Sequence, residues 1–446
     1  MTKDFDVVVF GATGFTGALV ARYLLQDSET AIGAPQALKW AIAGRSLQKL
    51  EQVKQQLKKH VPSVAAETID AIPTVVADSS DDAQVLAMVQ RTKVVLTLVG
   101  PYMLYGERLL KACAENGVHY CDLTGETLWV EKMINKYAAA AEKSGAVILN
   151  CCGFESVPSD LSTFVITEAV RKHKQTETSK VTLCFRSMDG GVSGGTLASV
   201  FTILETSSNA DLQRAQNPFY LTDDATREEK KRNGLERANG SSMLVKKEKD
   251  LNFWSSFFIG GSVNQAIVHR SNYLLKGRYG DRFVYRERGA IGGLFAQLAL
   301  TVGIAIGGVL LYFSWTRAIV KMLAPKPGQG PSEAAMAKGH FVAKVVAYDA
   351  AGELAARLTT VGKGDPGIHD DQSGDRRVRA VSREGRVRQL RRQGRFPHDR
   401  QRARSSPRHA SAAEADHEVQ RRARVTRATI GDGGSHVLFL NVTNIF

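Results

Sequence analysis

Over the first 150 residues, short apolar runs alternate with amphipathic stretches. The runs at 6–10, 39–43, 74–77, 93–99, 118–121 and 146–150 are β-branched and apolar on both faces, as strands are when helices cover both sides of a sheet. Between them, Ser46 reads as the N-cap of a helix with Leu47, Leu50, Val53 and Leu57 on one face. Residues 27–38, broken by Gly33 and Pro35, read as a longer loop. Repeated strand–helix units predict an α/β fold with a parallel sheet over 1–150. From Cys151 the texture is less regular: a strand at 181–187, a glycine-rich run at 190–195, and a polar segment at 205–250 read as exposed helices and loops. Residues 289–316 are 28 positions without Asp, Glu, Lys, Arg or His, and a strand-like piece at 340–347 follows.

Charge changes the picture only locally. The chain carries a formal +14, yet residues 376–427 hold 17 Arg, no Lys and 5 acids, leaving the remainder near +2. The charge therefore does not describe the body, and nucleic acid is not an expected partner. Five cysteines (Cys113, Cys121, Cys151, Cys152, Cys184) lack disulfide or metal spacing and fit a reducing compartment. The N-terminus carries acids and runs straight into a strand pattern, unlike a signal or transit peptide. The expected location is intracellular.

The strongest motif is the strand at 7–10 running into Gly11, Gly14 and Gly17 and then an amphipathic helix at 18–25. Gly11 permits the tight turn, Gly14 lets the backbone approach a pyrophosphate, and Gly17 lets the helix pack on the sheet. The helix N-terminus then offers N–H groups and a favourable dipole to phosphate. With βα units behind it, the motif predicts a Rossmann-type dinucleotide site, with Thr13, Phe15 and Thr16 completing the turn. After the second strand stands Arg45, where an NAD-preferring site usually has an acid. It suits a 2′-phosphate, and Ser46 can add a hydroxyl. NADP is thus the expected cofactor, with NAD the alternative if Arg45 only closes an exposed loop. Asp78 is placed either to meet the adenine edge or to cap the next helix. Gly100 and Pro101 follow the fourth strand, where a nicotinamide lies in this fold.

The chain resembles the saccharopine dehydrogenase-like oxidoreductases, in the branch with eukaryotic saccharopine dehydrogenase-like proteins and bacterial trans-acting enoyl reductases. The residues carrying the resemblance are 10–17, 43–46, 100–102 with Tyr105 and Gly106, 119–126, 152–160, 191–199, and 269–272 followed by Tyr279 and Gly280. Such an ordered series over about 1–367 is more specific than any single motif. It implies an NAD(P)-binding domain followed by an α+β domain that covers the nicotinamide. It does not fix a substrate, since relatives act on molecules as different as amino acids and lipid chains.

A nicotinamide enzyme needs a proton or oxyanion donor beside the cofactor. Tyr102, Asp122 and Glu126 are the catalytic candidates, with Thr124, Glu155, Ser156 and Asp160 also in turns after strands. Each has a plainer reading as a cap or turn residue, and 156–160 resembles a helix start. His119, Cys121 and Asp122 do not suggest a metal site, because alternate strand residues face opposite sides and no second cluster completes one. The run 190–195 reads as a close backbone approach to substrate or as a hairpin.

Residues 289–316 are long enough to cross a bilayer, and Gly303/Gly307 and Gly289/Gly293 are small-xxx-small pairs. If 340–347 returns to the upstream sheet, one crossing would divide a domain between two sides. A membrane-embedded hairpin or a helix lying on the cytoplasmic surface of a membrane or lipid droplet avoids this; a buried helix or a homodimer contact is the alternative. Beyond Gly367 the family pattern stops. Residues 376–427 have one Leu, one Phe and no Ile, Tyr or Trp, too little for a core. A basic tail, plain disorder and a shifted reading frame after Gly367 compete, and the frame shift explains both the missing Lys and the abrupt loss of pattern.

The expected architecture is a Rossmann-type α/β domain (1–150), an α+β substrate domain (151–288 and 317–367) with a hydrophobic helical insertion (289–316), and an atypical Arg-rich tail (368–446). The expected function is NAD(P)H-dependent oxidoreduction of a hydrophobic or lipid-like substrate. The alternative is a catalytically silent protein of the same fold, bound to a membrane or lipid droplet and acting through binding or assembly.

Overall fold

The computed structural model describes residues 3–27, 38–189, 193–240, 242–326 and 329–363, and the backbone of 435–439. The first half runs β1 (Phe5–Phe10), α1 (Phe15–Asp27), β2 (Trp40–Gly44), α2 (Leu47–His60), α3 (Ala66–Asp70), β3 (Thr74–Val76), α4 (Asp82–Gln90), β4 (Thr92–Thr97), α5 (Tyr102–Tyr105), α6 (Glu107–Glu115), β5 (His119–Asp122), α7 (Thr127–Ser144) and β6 (Ile148–Leu149). Its six strands are parallel in the order β3-β2-β1-β4-β5-β6. This is the doubly wound order with its switch point between β1 and β4. Val8 and Phe10 face one buried cluster with Val95 and Tyr120, while Val9 faces another with Ile42 and Leu50. The strands are therefore covered on both faces, as their composition predicts. Ser46 does cap α2, accepting from Lys49 N–H. The expected helix at 18–25 begins three residues earlier, at Phe15.

The second half runs α8 (Val157–Lys174), β7 (Thr178–Asp189), α9 (Gly194–Thr206), α10 (Asn209–Arg214), α11 (Asp224–Arg232), α12 (Leu235–Asn239), β8 (Lys246–Glu248), β9 (Phe253–Phe257), α13 (Gly261–Leu274), β10 (Val284–Gly289), α14 (Leu294–Tyr312), α15 (Ser314–Leu323), α16 (Glu333–Lys338), β11 (His340–Asp349), β12 (Leu354–Lys363) and β13 (Ser435–Phe439). A mixed sheet in the order β13-β12-β11-β7-β10-β9-β8 results. One face, with Val181, Leu183, Phe185 and Tyr285, packs on Ile166 and Val170 of α8 and Val268 of α13. The segment read as exposed, 205–250, holds exposed helices but also buries Phe219, Tyr220 and Leu221. Tyr220 and Leu221 join the core beneath the first sheet.

Residues 289–316 divide differently from the reading above. Gly289 ends a strand, α14 starts at Leu294, and the chain breaks at Phe313 into α15. At the break, Thr316 Oγ1 donates to the Leu310 and Phe313 carbonyls, and Arg317 donates to Leu311 O and, on α9, to Leu204 O. The alternative of a helix buried within the chain does not hold. Among its side chains only Gln297 is buried, held by Ser256 and the Ile291 carbonyl, while Phe295 is 84% exposed. The strands before and after the two helices, β10 and β11, both pair with β7. The Arg-rich tail lies outside the described residues apart from β13, a parallel edge strand on β12.

Candidate functional site

The glycine turn has the shape expected of a phosphate cradle. Gly11 has φ +90, a region that L side chains rarely adopt, and its Cα faces Val99. Gly14 N–H closes the turn onto Gly11 O at 3.0 Å. A Cβ at Gly17 would lie 2.7 Å from Ala12 Cα and nearer still to the Gly11 carbonyl, so glycine is what lets α1 start against the end of β1. The first N–H groups of α1, at Phe15, Thr16 and Gly17, have no carbonyl one turn earlier in the helix, which is the property a pyrophosphate uses. Thr13 is exposed at the tip, beside Gly44. The Phe15 ring is packed by Gly330, where a Cβ would overlap it, and Glu333 then joins Arg22 of α1 and His60 of α2 at 3.2 and 3.0 Å.

Arg45 is exposed at the end of β2. Asp78 follows β3; its carboxylate accepts from Ser80 N–H (2.9 Å) and Ser80 Oγ (2.7 Å). These bonds, with help from nearby Arg45, hold its pKa below the ordinary carboxylate value. Asp78 does not cap the next helix: Asp81 does, accepting from Ala83 and Gln84 N–H. Ser46 spends its oxygen on the α2 cap, though its hydroxyl proton is still available to donate.

The three catalytic candidates come together below the end of the sheet, and each is engaged from within. Glu126 is fully buried; it accepts from Tyr102 N–H (2.9 Å), Met103 N–H (2.7 Å) and Ser199 Oγ (2.6 Å). It thereby satisfies the start of α5 after the cis Gly100–Pro101 peptide and ties α9 to it. Tyr102 donates its hydroxyl to Thr97 O at 3.0 Å and packs on Trp129; burial pushes its pKa up. Asp122 accepts from Thr124 N–H, Cys151 N–H, Tyr120 OH and Asn150 Nδ2. Burial raises its pKa to about 6 against the pull of those bonds. Thr124 Oγ1 in turn accepts from Glu126 N–H.

Glu155 stands apart from these. It is exposed on the turn after β6, and its carboxylate lies beside Gly125, where a Cβ would come within 2.9 Å of Oε2. Although part of the side chain reaches solvent, the protein packed around its carboxylate desolvates it and so pushes its pKa up from the ordinary value. Asp160 is instead turned into the second core, where it accepts from Ser271 and burial raises it to about 6. Ser156 stands immediately before α8, but its side chain makes no capping bond.

His119 is exposed and accepts from Val147 N–H, while Asp122 on the same strand points inward. Among the described residues no three His, Cys, Asp or Glu side chains gather as metal ligands. The residues 190–192 lie outside the described residues. Gly194 next to them does make a close backbone approach, but to Lys326 O of the return from α15. Motif reading assigned no role to Ser199, although it lies in the resembling run 191–199. Its bond to Glu126 becomes visible only once α9 is folded over the sheet.

A doubly wound sheet, a glycine cradle at its switch-point strand and a cation after β2 define an NADP-binding oxidoreductase of the α/β class. Residues 7–149 match the saccharopine dehydrogenase NADP-binding domain. The chain is 34% identical over 351 residues to a trans-acting enoyl reductase of Mycobacterium leprae, covering 76% of this chain and 80% of that one. It is 35% identical over 356 residues to a trans-acting enoyl reductase of Mycobacterium tuberculosis, with the same coverages. Among solved structures, apo saccharopine dehydrogenase (L-Glu forming) from Saccharomyces cerevisiae aligns over 81% of this chain and 86% of that chain, at 9% identity and a TM-score of 0.36. The chain belongs to the saccharopine dehydrogenase-like oxidoreductase family, and its cofactor is NADP.

Proposed function

We propose that the protein is an NADPH-dependent reductase of a lipid-like enoyl or related unsaturated acyl substrate, working at the surface of a membrane or lipid droplet on its cytoplasmic side. The lipid part is carried by one observation: α14 and α15 present Phe295, Val302, Ile306, Val309, Tyr312, Trp315, Met322 and Leu323 to the outside, each at least half exposed. Apolar area this continuous on a soluble surface marks a binding site. With β10 and β11 both on β7, the helices suit a shallow or hairpin insertion rather than a single crossing. The names of the mycobacterial relatives support enoyl reduction.

NADPH, when bound, supplies the hydride. Gly11, Gly14 and Gly17 with the α1 N-terminus would hold its pyrophosphate, and Thr13, Phe15 and Thr16 form the wall of that turn. Arg45 and Ser46 would hold the 2′-phosphate, and Asp78 would serve the adenine end. Gly100 and Pro101 would line the nicotinamide end of the site. Glu126 and Asp122 act as positioning residues, fixing α5, α9 and the turn after β5, and Tyr102 braces Thr97. Glu155 is the residue that delivers the proton to the substrate carbon next to the carbonyl. Its raised pKa keeps more of it protonated near neutrality than an ordinary glutamate.

The test is NADPH oxidation with long-chain 2-enoyl thioesters, wild type against Glu155→Gln. The expected result is turnover with the wild type, at least a hundredfold slower with the variant, on the order of a lost general acid. Wild-type activity should also decline as pH rises through the raised Glu155 pKa. The internal engagement of Tyr102, Asp122 and Glu126 favours a second reading, a binding protein without catalysis. NADPH binding with no oxidation across enoyl, ketone and acyl substrates would establish it.

A further inference from the structure

The second sheet has two unlike faces. One is the apolar face packed on α8 and α13. The register places Lys180, Thr182 and Cys184 of β7 on the other. Their direct neighbours there are Arg286 and Arg288 on β10 and Lys344, Val346 and Tyr348 on β11. On β12, Arg357 stands opposite Val346 and Thr359 opposite Lys344. Arg186 joins them at the bulge in β7, with its guanidinium over the Phe253 ring. Six cations, counting Lys246, thus crowd one surface with Arg288 buried beneath them, and among the described residues the acids beside them are Glu248 and Asp250.

Those two acids are already committed. Glu248 pairs with Lys246 and with buried Arg288, at 3.1 and 3.3 Å. Asp250 accepts from Tyr348 OH at 2.6 Å. Among the described residues Lys180, Arg186, Arg286, Lys344 and Arg357 have no carboxylate within ion-pair distance. Lys180 lies 4.0 Å above the Tyr348 ring, Lys344 donates to Thr359 Oγ1, and Arg286 and Arg357 donate to main-chain carbonyls. Like charges on adjacent strands repel. Burial and neighbouring cations hold both lysines below the ordinary lysine pKa. The same surface leads into the exposed helices, since Arg186 donates to Ala290 O at 2.5 Å, just ahead of α14.

We propose that this cationic sheet face binds the headgroups of an anionic phospholipid bilayer, adding charge attraction to the apolar insertion of α14 and α15. The proposal rests on the reading of those helices as membrane-associating. Charge complementarity and continuity with them favour a bilayer over other anionic partners.

The experiment is flotation of the full chain with vesicles of phosphatidylcholine alone and of equimolar phosphatidylcholine and phosphatidylserine. Anionic vesicles should bind more tightly, with the excess falling as salt is added. The triple variant Lys180→Gln, Arg286→Gln, Lys344→Gln should lose that excess. At about 1 kcal/mol for each cation near an anionic surface, the loss is on the order of a hundredfold. Its binding to phosphatidylcholine should be unchanged, and an unchanged melting temperature shows that it is folded. The double variant Lys180→Arg, Lys344→Arg should keep the anionic preference. Equal wild-type binding to both vesicles at low salt would overturn the proposal and leave the reading of α14 intact. Binding to neither would overturn both. Tighter patch-dependent binding to a transfer RNA than to anionic vesicles, or patch-dependent dimerisation, would also overturn it.

Discussion

Replacing Gly17 with Ala tests whether the cradle works through close backbone approach. The added Cβ would sit 2.7 Å from Ala12 Cα and nearer still to the Gly11 carbonyl oxygen. Both neighbours are main chain, so no rotamer change relieves the overlap. Ordinary carbon contact is ~3.5 Å, so α1 must move by about 0.8 Å or more. Overpacking of this kind costs about 1–3 kcal/mol. The displaced part is the helix N-terminus that faces the pyrophosphate. Part of the cost therefore falls on cofactor affinity, and NADPH should bind roughly tenfold more weakly or worse, since about 1.4 kcal/mol is a factor of ten. The assay is NADPH fluorescence titration beside a thermal melt. Gly307→Ala is the control, because a Cβ there meets nothing within 4 Å; it should leave both readings near wild type. Wild-type NADPH affinity in the folded Gly17→Ala variant would refute the reasoning.

Four further outcomes are expected. Glu126→Ala leaves Tyr102 N–H, Met103 N–H and Ser199 Oγ without their acceptor and should cost about 3 kcal/mol or more in urea unfolding, at roughly 1–3 kcal/mol per buried orphan. Because Asp122 is raised to about 6 in the fold from an ordinary 3.8, it contributes stability that is full below pH 4 and lost as pH climbs through 6; denaturation midpoints measured across this window should fall, and Asp122→Asn should flatten that component. Arg45→Asp should shift preference from NADP toward NAD, read as the ratio of the two dissociation constants. Val302→Asp with Ile306→Asp should abolish flotation with phosphatidylcholine vesicles, since each acid costs up to about 3 kcal/mol in a bilayer, yet leave the melting temperature unchanged, because these side chains are 57% and 56% exposed.

Much of the first half was legible because its signals are local. Period and composition mark β1 to β6, and Gly11, Gly14 and Gly17 report a turn made by seven consecutive residues. Even there the ends moved: β6 keeps only Ile148 and Leu149, and α1 opens at Phe15 directly after the turn. The candidate chemistry was less legible because its partners are remote. Glu126 is bonded by Ser199, 73 positions away, and nothing near either residue announces the other. Phe219, Tyr220 and Leu221 were hidden in a polar segment, since three apolar residues carry no period. The apolar run at 289–316 was plain, but its bend at Phe313 was not. No proline or glycine marks it, and it is held by Thr316 and Arg317 reaching back to carbonyls. Residues 181–187 read only as a strand, and the cationic face emerges when β10, β11 and β12 are paired beside β7.

The most direct measurement is a structure of the protein with NADP and a long-chain enoyl thioester analogue. In it the pyrophosphate is expected on Gly11–Gly17 N–H groups, the nicotinamide over Gly100 and Pro101, and the Glu155 carboxyl within hydrogen-bond reach of the substrate carbon beside the carbonyl. A nicotinamide lying elsewhere, or an acyl chain remote from Glu155, would contradict the proposed reductase.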